Sequence, residues 1–124
     1  MKKIVLILLL MQQSIIHSQN NLNSDWANLN KYQKENLEII PSSKNMVFMG
    51  DSITEFWKVN DSIFFSQNPF INRGISGQTT SQMAHRFQQD VINLKPSTVV
   101  ILAGINDIAE NSGPISLNEI LNNI

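Results

Sequence analysis

The apolar positions change their period several times along the chain, and each change marks an element. Trp26, Leu29, Tyr32 and Leu37 recur at near-helical spacing, with Lys31, Lys34 and Glu35 between them. That pattern predicts an amphipathic helix opened by Asp25 as N-cap and closed by Pro41. Residues 46–49 (Met-Val-Phe-Met) are apolar with no alternation, which suits a strand buried on both faces of a parallel sheet. Phe70-Ile71 predicts a second, short strand. Residues 98–104 (TVVILAG), rich in β-branched side chains, predict the clearest buried strand of the chain. Between the strands the pattern returns to helix. A turn is expected over 54–59, Phe64 and Phe65 are core candidates, and a helix runs from about 80 to 94. Its apolar face is Met83, Ala84, Phe87, Val91 and Leu94, and Lys95-Pro96 breaks it. Asp107 with Glu110, and Ser116 with Glu119, resemble capping boxes.

Strands alternating with helices imply right-handed crossovers and an α/β fold with a parallel sheet. Such sheets bind ligands beyond the carboxyl ends of their strands. Asp51-Ser52 follows the first strand, Arg73-Gly74 the second, and residues 104–107 (Gly-Ile-Asn-Asp) the third. All three polar clusters are therefore expected on one sheet edge.

The first residues change the picture of where the protein works. Lys2 and Lys3 precede an apolar run over residues 4–11, too short to span a bilayer, and small polar residues follow to Ser18. This predicts a signal peptide over 1–18 and a secreted or periplasmic product. Ser18 fills the small position before the cut, although Ile16 is a poor fit two residues earlier. A polar lead-in and the amphipathic helix then occupy 19–44. Cleavage after Ser18 leaves seven basic residues against ten acidic, a net charge of −3. No basic patch remains, so neither nucleic acid nor an anionic membrane is expected as partner. The 124 residues contain no cysteine, so stability rests on a packed core without disulfides.

The three clusters suit acyl transfer. Ser52 lies at a strand-to-helix turn, where a hydroxyl projects and its own N–H sits near a helix N-terminus. Gly74 offers a backbone N–H without a side chain, and Asn106 offers a carboxamide NH₂. Three donors around one developing oxyanion are what ester cleavage needs. Each residue also has an ordinary structural reading: Ser52 as a helix cap, Gly74 as a left-handed turn residue, Asn106 as a cap of the next helix. Asp51 and Asp107 read as structural acids, with Arg73 pairing with one of them.

"GDSIT" at 50–54, "NRGISGQTT" at 72–80 and "AGIND" at 103–107 resemble, in order and spacing, the first three sequence blocks of the SGNH hydrolases, also called GDSL lipases and esterases. "NRGISGQTT" is similar to their platelet-activating-factor acetylhydrolase-like branch in particular. The resemblance covers residues from about 45 to the end. It implies Ser52 as nucleophile, with the Gly74 N–H and the Asn106 side chain in the oxyanion hole. It also implies a three-layer α/β/α sandwich on a flavodoxin-like sheet, and ester hydrolysis with no metal or cofactor.

The family's fourth named residue, a histidine in an Asp-x-x-His element, has no counterpart. The histidines are His17, in the expected signal peptide, and His85. At 100° per residue His85 falls about 150° from the centre of its helix's apolar face, so it is expected at the surface. Residues 116–124 open a capped helix and stop on an apolar residue, and three strands are found where the family builds about five. The expectation is the amino-terminal part of a longer secreted serine esterase, nearly inactive alone because Ser52 lacks its base. The competing readings are a non-catalytic carbohydrate- or lipid-binding pseudoenzyme, with Trp57 as a platform, and a phosphate-binding module. The latter is disfavoured because no lysine lies near the glycine loop. The substrate expected is a small-molecule or carbohydrate ester.

Overall fold

The computed structural model describes residues 25–124, so the signal peptide expected at 1–18 and the first part of the polar lead-in lie outside the described residues. Helix α1 (Asn30–Glu38) leads into strand β1 (Met46–Gly50), helices α2 (Ser52–Asn60) and α3 (Ser62–Ser66), and strand β2 (Phe70–Gly74). Helix α4 (Thr80–Asp90) ends in a 3₁₀ turn at Ile92–Leu94. Strand β3 (Thr98–Leu102) and helices α5 (Ile105–Ile108) and α6 (Leu117–Asn122) complete the order.

The described sheet has three strands in the order β2-β1-β3, all parallel, with Gly50 opposite both Gly74 and Leu102. This 2-1-3 order is the start of a flavodoxin-like sheet. The three carboxyl ends share one edge, as the alternation of elements implied. Alternate residues of β1 face opposite layers. Val47 and Met49 join Ile71, Met83, Val91 and Leu94 in a core beneath α4. Phe48 faces the other way, its ring centroid 5.3–6.1 Å from those of Trp57, Phe64, Phe65 and Phe70. The result is an incomplete α/β/α sandwich.

Several expectations need correction. The residues before α1 turn rather than coil into helix; Tyr32 is buried, but Trp26 and Leu37 are exposed. Asp25 is not the N-cap, a position held by Leu29, but its carboxylate accepts from the N–H groups of Leu29 (2.6 Å) and Asn30 (2.8 Å) across the turn before the helix. On α4, Ala84 is exposed, whereas Arg86 and Asp90 are fully buried on the core side. The largest departure is β3, where Val100, Ile101 and Leu102 are each more than 40 % exposed. Its outer edge has no partner among the described residues, so a strand whose side chains suit burial is covered only in part.

Gly50 and Gly74 sit side by side in register on the α2 face. A Cβ on Gly74 would lie 2.1 Å from the backbone nitrogen of Glu55, and one on Gly50 would lie 2.1 Å from Thr54 Oγ1. The glycine pair lets the first turn of α2 settle directly onto the sheet. Gly74→Ala is expected to destabilise the fold by roughly 3 kcal/mol, the upper part of the overpacking range, because backbone rather than a flexible side chain must yield. A urea midpoint within experimental scatter of the parent would show that α2 does not sit so closely.

Candidate active site

Ser52 is the first residue of α2, directly beyond the carboxyl end of β1. Asp51 before it is fully buried and accepts the Ile53 N–H through Oδ1 (2.9 Å), so Asp51 rather than Ser52 caps the helix. The ordinary reading of Ser52 as a cap is therefore taken by its neighbour. Ser52 itself is half-buried, and no hydrogen bond reaches its hydroxyl among the described residues.

Asn106, in α5 beyond β3, crosses to the same place. Its Nδ2 donates to the carbonyl of Gln78 (3.0 Å) and lies 3.4 Å from Asp51 Oδ2. Asn111 Nδ2 donates to Asn106 Oδ1 (2.6 Å), which fixes which end of the carboxamide presents its protons. The structure thus brings Asn106 to the Asp51-Ser52 turn, at the carboxyl ends of β1 and β3, where strand order reverses.

Gly74 does not join them as a donor. Its N–H is committed to Asn72 Oδ1 (3.0 Å), its carbonyl accepts from the Tyr32 hydroxyl (2.5 Å), and α2 covers its Cα. The N–H expected from Gly74 as an oxyanion donor is thus engaged within the chain, and that glycine serves close packing. Two residues at this edge were not singled out from the sequence. In the loop 75–78, the amides of Ile75, Ser76 and Gln78 are bonded to Gly50 O, Glu55 Oε2 and Ile75 O. Gly77 is exposed, with φ +76° and open space where a Cβ would stand; its amide has no partner among the described residues. The double glycine in the sequence was the available signal, but only the packing tells the two apart.

The second missed residue is Arg86. Its guanidinium, wholly buried, donates to Gln78 Oε1 (2.6 Å), to the carbonyls of Gly50 (3.2 Å) and Arg73 (2.8 Å), and to Asp90 (3.0 Å). It closes the carboxyl ends of β1 and β2 and holds the loop beside them. Burial pulls its pKa below the ordinary value, and the bond to Asp90 opposes that. Arg73, expected to pair with Asp51 or Asp107, instead bonds Glu35 and Asn36 and lies 4.5 Å from the Tyr32 ring centroid. Burial, with the Glu55 charge, raises the Tyr32 phenol to about 12. Asp107 forms no capping box with Glu110. Its carboxylate accepts from the N–H and hydroxyl of Thr80, tying α5 to the start of α4. The Ser116/Glu119 box forms as expected.

His85 is exposed on α4, its ring 5.7 Å from Trp26. An apolar cavity of about 170 Å³ lies between α4 and β3, but neither Ser52 nor Asn106 lines it.

The model of the GDSL-like Lipase/Acylhydrolase family matches residues 48–124. The chain belongs to this family. Among solved structures, one from Bacteroides fragilis assigned as an acylhydrolase is 48 % identical, with a TM-score of 0.78 over 82 % of this chain and 50 % of that one. One from Streptococcus pneumonia described as a platelet activating factor is 25 % identical, with a TM-score of 0.60 over 96 % of this chain and 50 % of that one. An acetylxylan esterase of Geobacillus stearothermophilus is 47 % identical over 38 residues, 31 % of this chain and 17 % of the esterase. The chain thus spans half the length of these solved relatives.

Proposed function

We propose that this chain carries the nucleophile and oxyanion side of an exported serine ester hydrolase, export resting on the pattern of residues 1–18. Ser52 Oγ attacks the ester carbonyl carbon, the carbonyl oxygen takes up the negative charge, and the carbon–oxygen bond to the alcohol breaks. The Ser52 proton passes through a general base to the leaving alkoxide. Water then releases the acid from the acyl-Ser52 intermediate by the same route. The Ser52 N–H, the Gly77 N–H and Asn106 Nδ2 are the oxyanion donors. The long 3.4 Å contact from Asn106 to Asp51 is the bond most easily given up to a substrate oxygen. The observation that carries this reading is the meeting of Asn106 with the Asp51-Ser52 turn, 55 residues away in sequence.

Acetyl or another short acyl group on a carbohydrate is the proposed substrate class, supported by the local identity with an acetylxylan esterase. Asn106→Ala is expected to lower kcat on p-nitrophenyl acetate by about 10²–10³-fold with little change in KM, because the bond strengthens in the transition state. An unchanged kcat removes Asn106 from the oxyanion site.

A second reading is supported by His85, which lies exposed on α4 against Trp26, so that no histidine stands beside Ser52 among the described residues. In that reading the sheet edge binds a sugar or acyl chain without cleaving it. Trp57 serves poorly as its platform, since one ring face stacks on Phe64 at 4.9 Å. Covalent capture of Ser52 by a fluorophosphonate probe in the full-length protein separates the two.

A further inference from the structure

Glu55 is left without a role by the chemistry above, yet its contacts join three elements. It lies three residues after Ser52, so both belong to the first turn of α2. Its Oε2 accepts from both the N–H and the hydroxyl of Ser76, each at 2.6 Å. Its Oε1 forms an ion pair with Lys31 of α1. The side chains of the pair are 29 % and 24 % exposed, so the latch is neither a loose surface contact nor a sealed one. Ser76 immediately precedes Gly77. Gln78, on the other side, is fixed by Arg86, by Asn106 and by its own Nε2 bond to the Ala27 carbonyl (2.7 Å). Gly77 is thus held from both flanks, and its amide alone in this loop is left unbonded among the described residues.

We propose that Glu55 is a positioning residue that, with Lys31 as counter-ion, fastens Ser76 to the nucleophile's own helical turn so that the Gly77 amide is fixed for the substrate carbonyl. The inference rests on the reading of Ser52 as nucleophile and extends it to the device that sets the distance between attacking oxygen and oxyanion donor. One rigid turn carries both, so nucleophile and loop move together. Lys31 lies outside the segment matched by the family model, so the helix before β1 becomes part of the working site.

The latch needs the carboxylate. Partial burial pulls the Glu55 carboxyl up, but the bonds from Lys31 and Ser76 outweigh it and hold it below the usual range. The charged and titratable groups around it are Lys31, Tyr32 and Glu35 on α1, Lys58 on α2 and Arg73 on β2; Glu35 is engaged with Arg73 and Lys58. A group lowered in this way keeps its contribution above its unfolded pKa and loses it as pH falls through the folded one. The latch therefore persists into mild acid, and removing the Lys31 charge brings its release to higher pH.

The test uses the full-length protein, with p-nitrophenyl acetate turnover and amide hydrogen exchange at Ser76 and Gly77. Glu55→Ala is expected to lower kcat by about 10–100-fold, the range of a misplaced rather than deleted donor, with KM within about twofold. Glu55→Gln, which keeps an acceptor for Ser76 but not the charge that pairs with Lys31, is expected to recover only part of that loss. Lys31→Met should shift the acid limb of the kcat profile upward. Exchange at Ser76 should accelerate in Glu55→Ala whether or not the protein turns over substrate. A parental kcat in Glu55→Ala, or a fall that tracks Tm and is not rescued by Glu55→Gln, overturns the inference, as does unchanged Ser76 exchange. Turnover that survives Ser52→Ala defeats instead the nucleophile assignment, and Ser76 exchange still judges the latch.

Discussion

Ser52→Ala in the full-length protein is expected to lower kcat/KM on p-nitrophenyl acetate by about 10⁴-fold or more, the order seen when a serine nucleophile is removed. That corresponds to roughly 5.5 kcal/mol of transition-state stabilisation. The remaining rate would come from the oxyanion donors and binding, which do not need the hydroxyl. Fluorophosphonate labelling should vanish in the same variant. Stability should hardly move, since Ser52 is half-buried, its hydroxyl is unbonded among the described residues, and the capping belongs to Asp51. The combination is diagnostic. A structural serine would lose stability and activity together, whereas a nucleophile loses only activity. Retention of full turnover and labelling would sink the assignment.

Arg86→Met should have the largest effect on folding. The guanidinium and the Asp90 carboxylate are both fully buried and 3.0 Å apart, one turn of α4 from each other. Removing the cation leaves Asp90 in the core with Asn36 Nδ2 (2.7 Å) as its remaining side-chain donor. It also strips a donor from the carbonyls of Gly50 and Arg73 and from the Gln78 side chain. Breaking one partner out of a buried pair costs about 3–5 kcal/mol, because the other charge stays desolvated. Urea unfolding should show that loss in the midpoint with little change in slope. Asp90→Leu in the Arg86→Met background should recover part of it, since two apolar residues no longer strand a charge. A loss below about 1 kcal/mol, the range of exposed ion pairs, would show that the pair is not sealed from solvent.

Much of the site's layout was legible before any fold was known. The apolar runs gave three strands, and the polar clusters after them were bound to share an edge once the strands were parallel. Ser52 and Asn106 followed from that placement. What failed shares one property: it depends on how closely two elements approach. Nothing in the local sequence distinguishes Gly74 from Gly77, although the first ends β2 and the second lies in the loop after it. The difference is that α2 lies on the first and open space faces the second. Nothing in the pattern singled out Arg86 and Asp90, and Arg73 was expected beside Asp51 or Asp107; all three are buried, with partners that arrive from other elements.

The sequence by itself determined the three strands, the helix between β2 and β3, the capping box of Ser116 with Glu119, and the family. Spacing, capping and motif order are short-range properties that each segment carries with it. Only the tertiary structure decided which glycine packs and which stands open, where Asp107 and Arg73 find their partners, and how far β3 is covered. A run such as TVVILAG states that its side chains suit burial; whether anything lies over them is a property of the neighbours, and here Val100, Ile101 and Leu102 remain exposed.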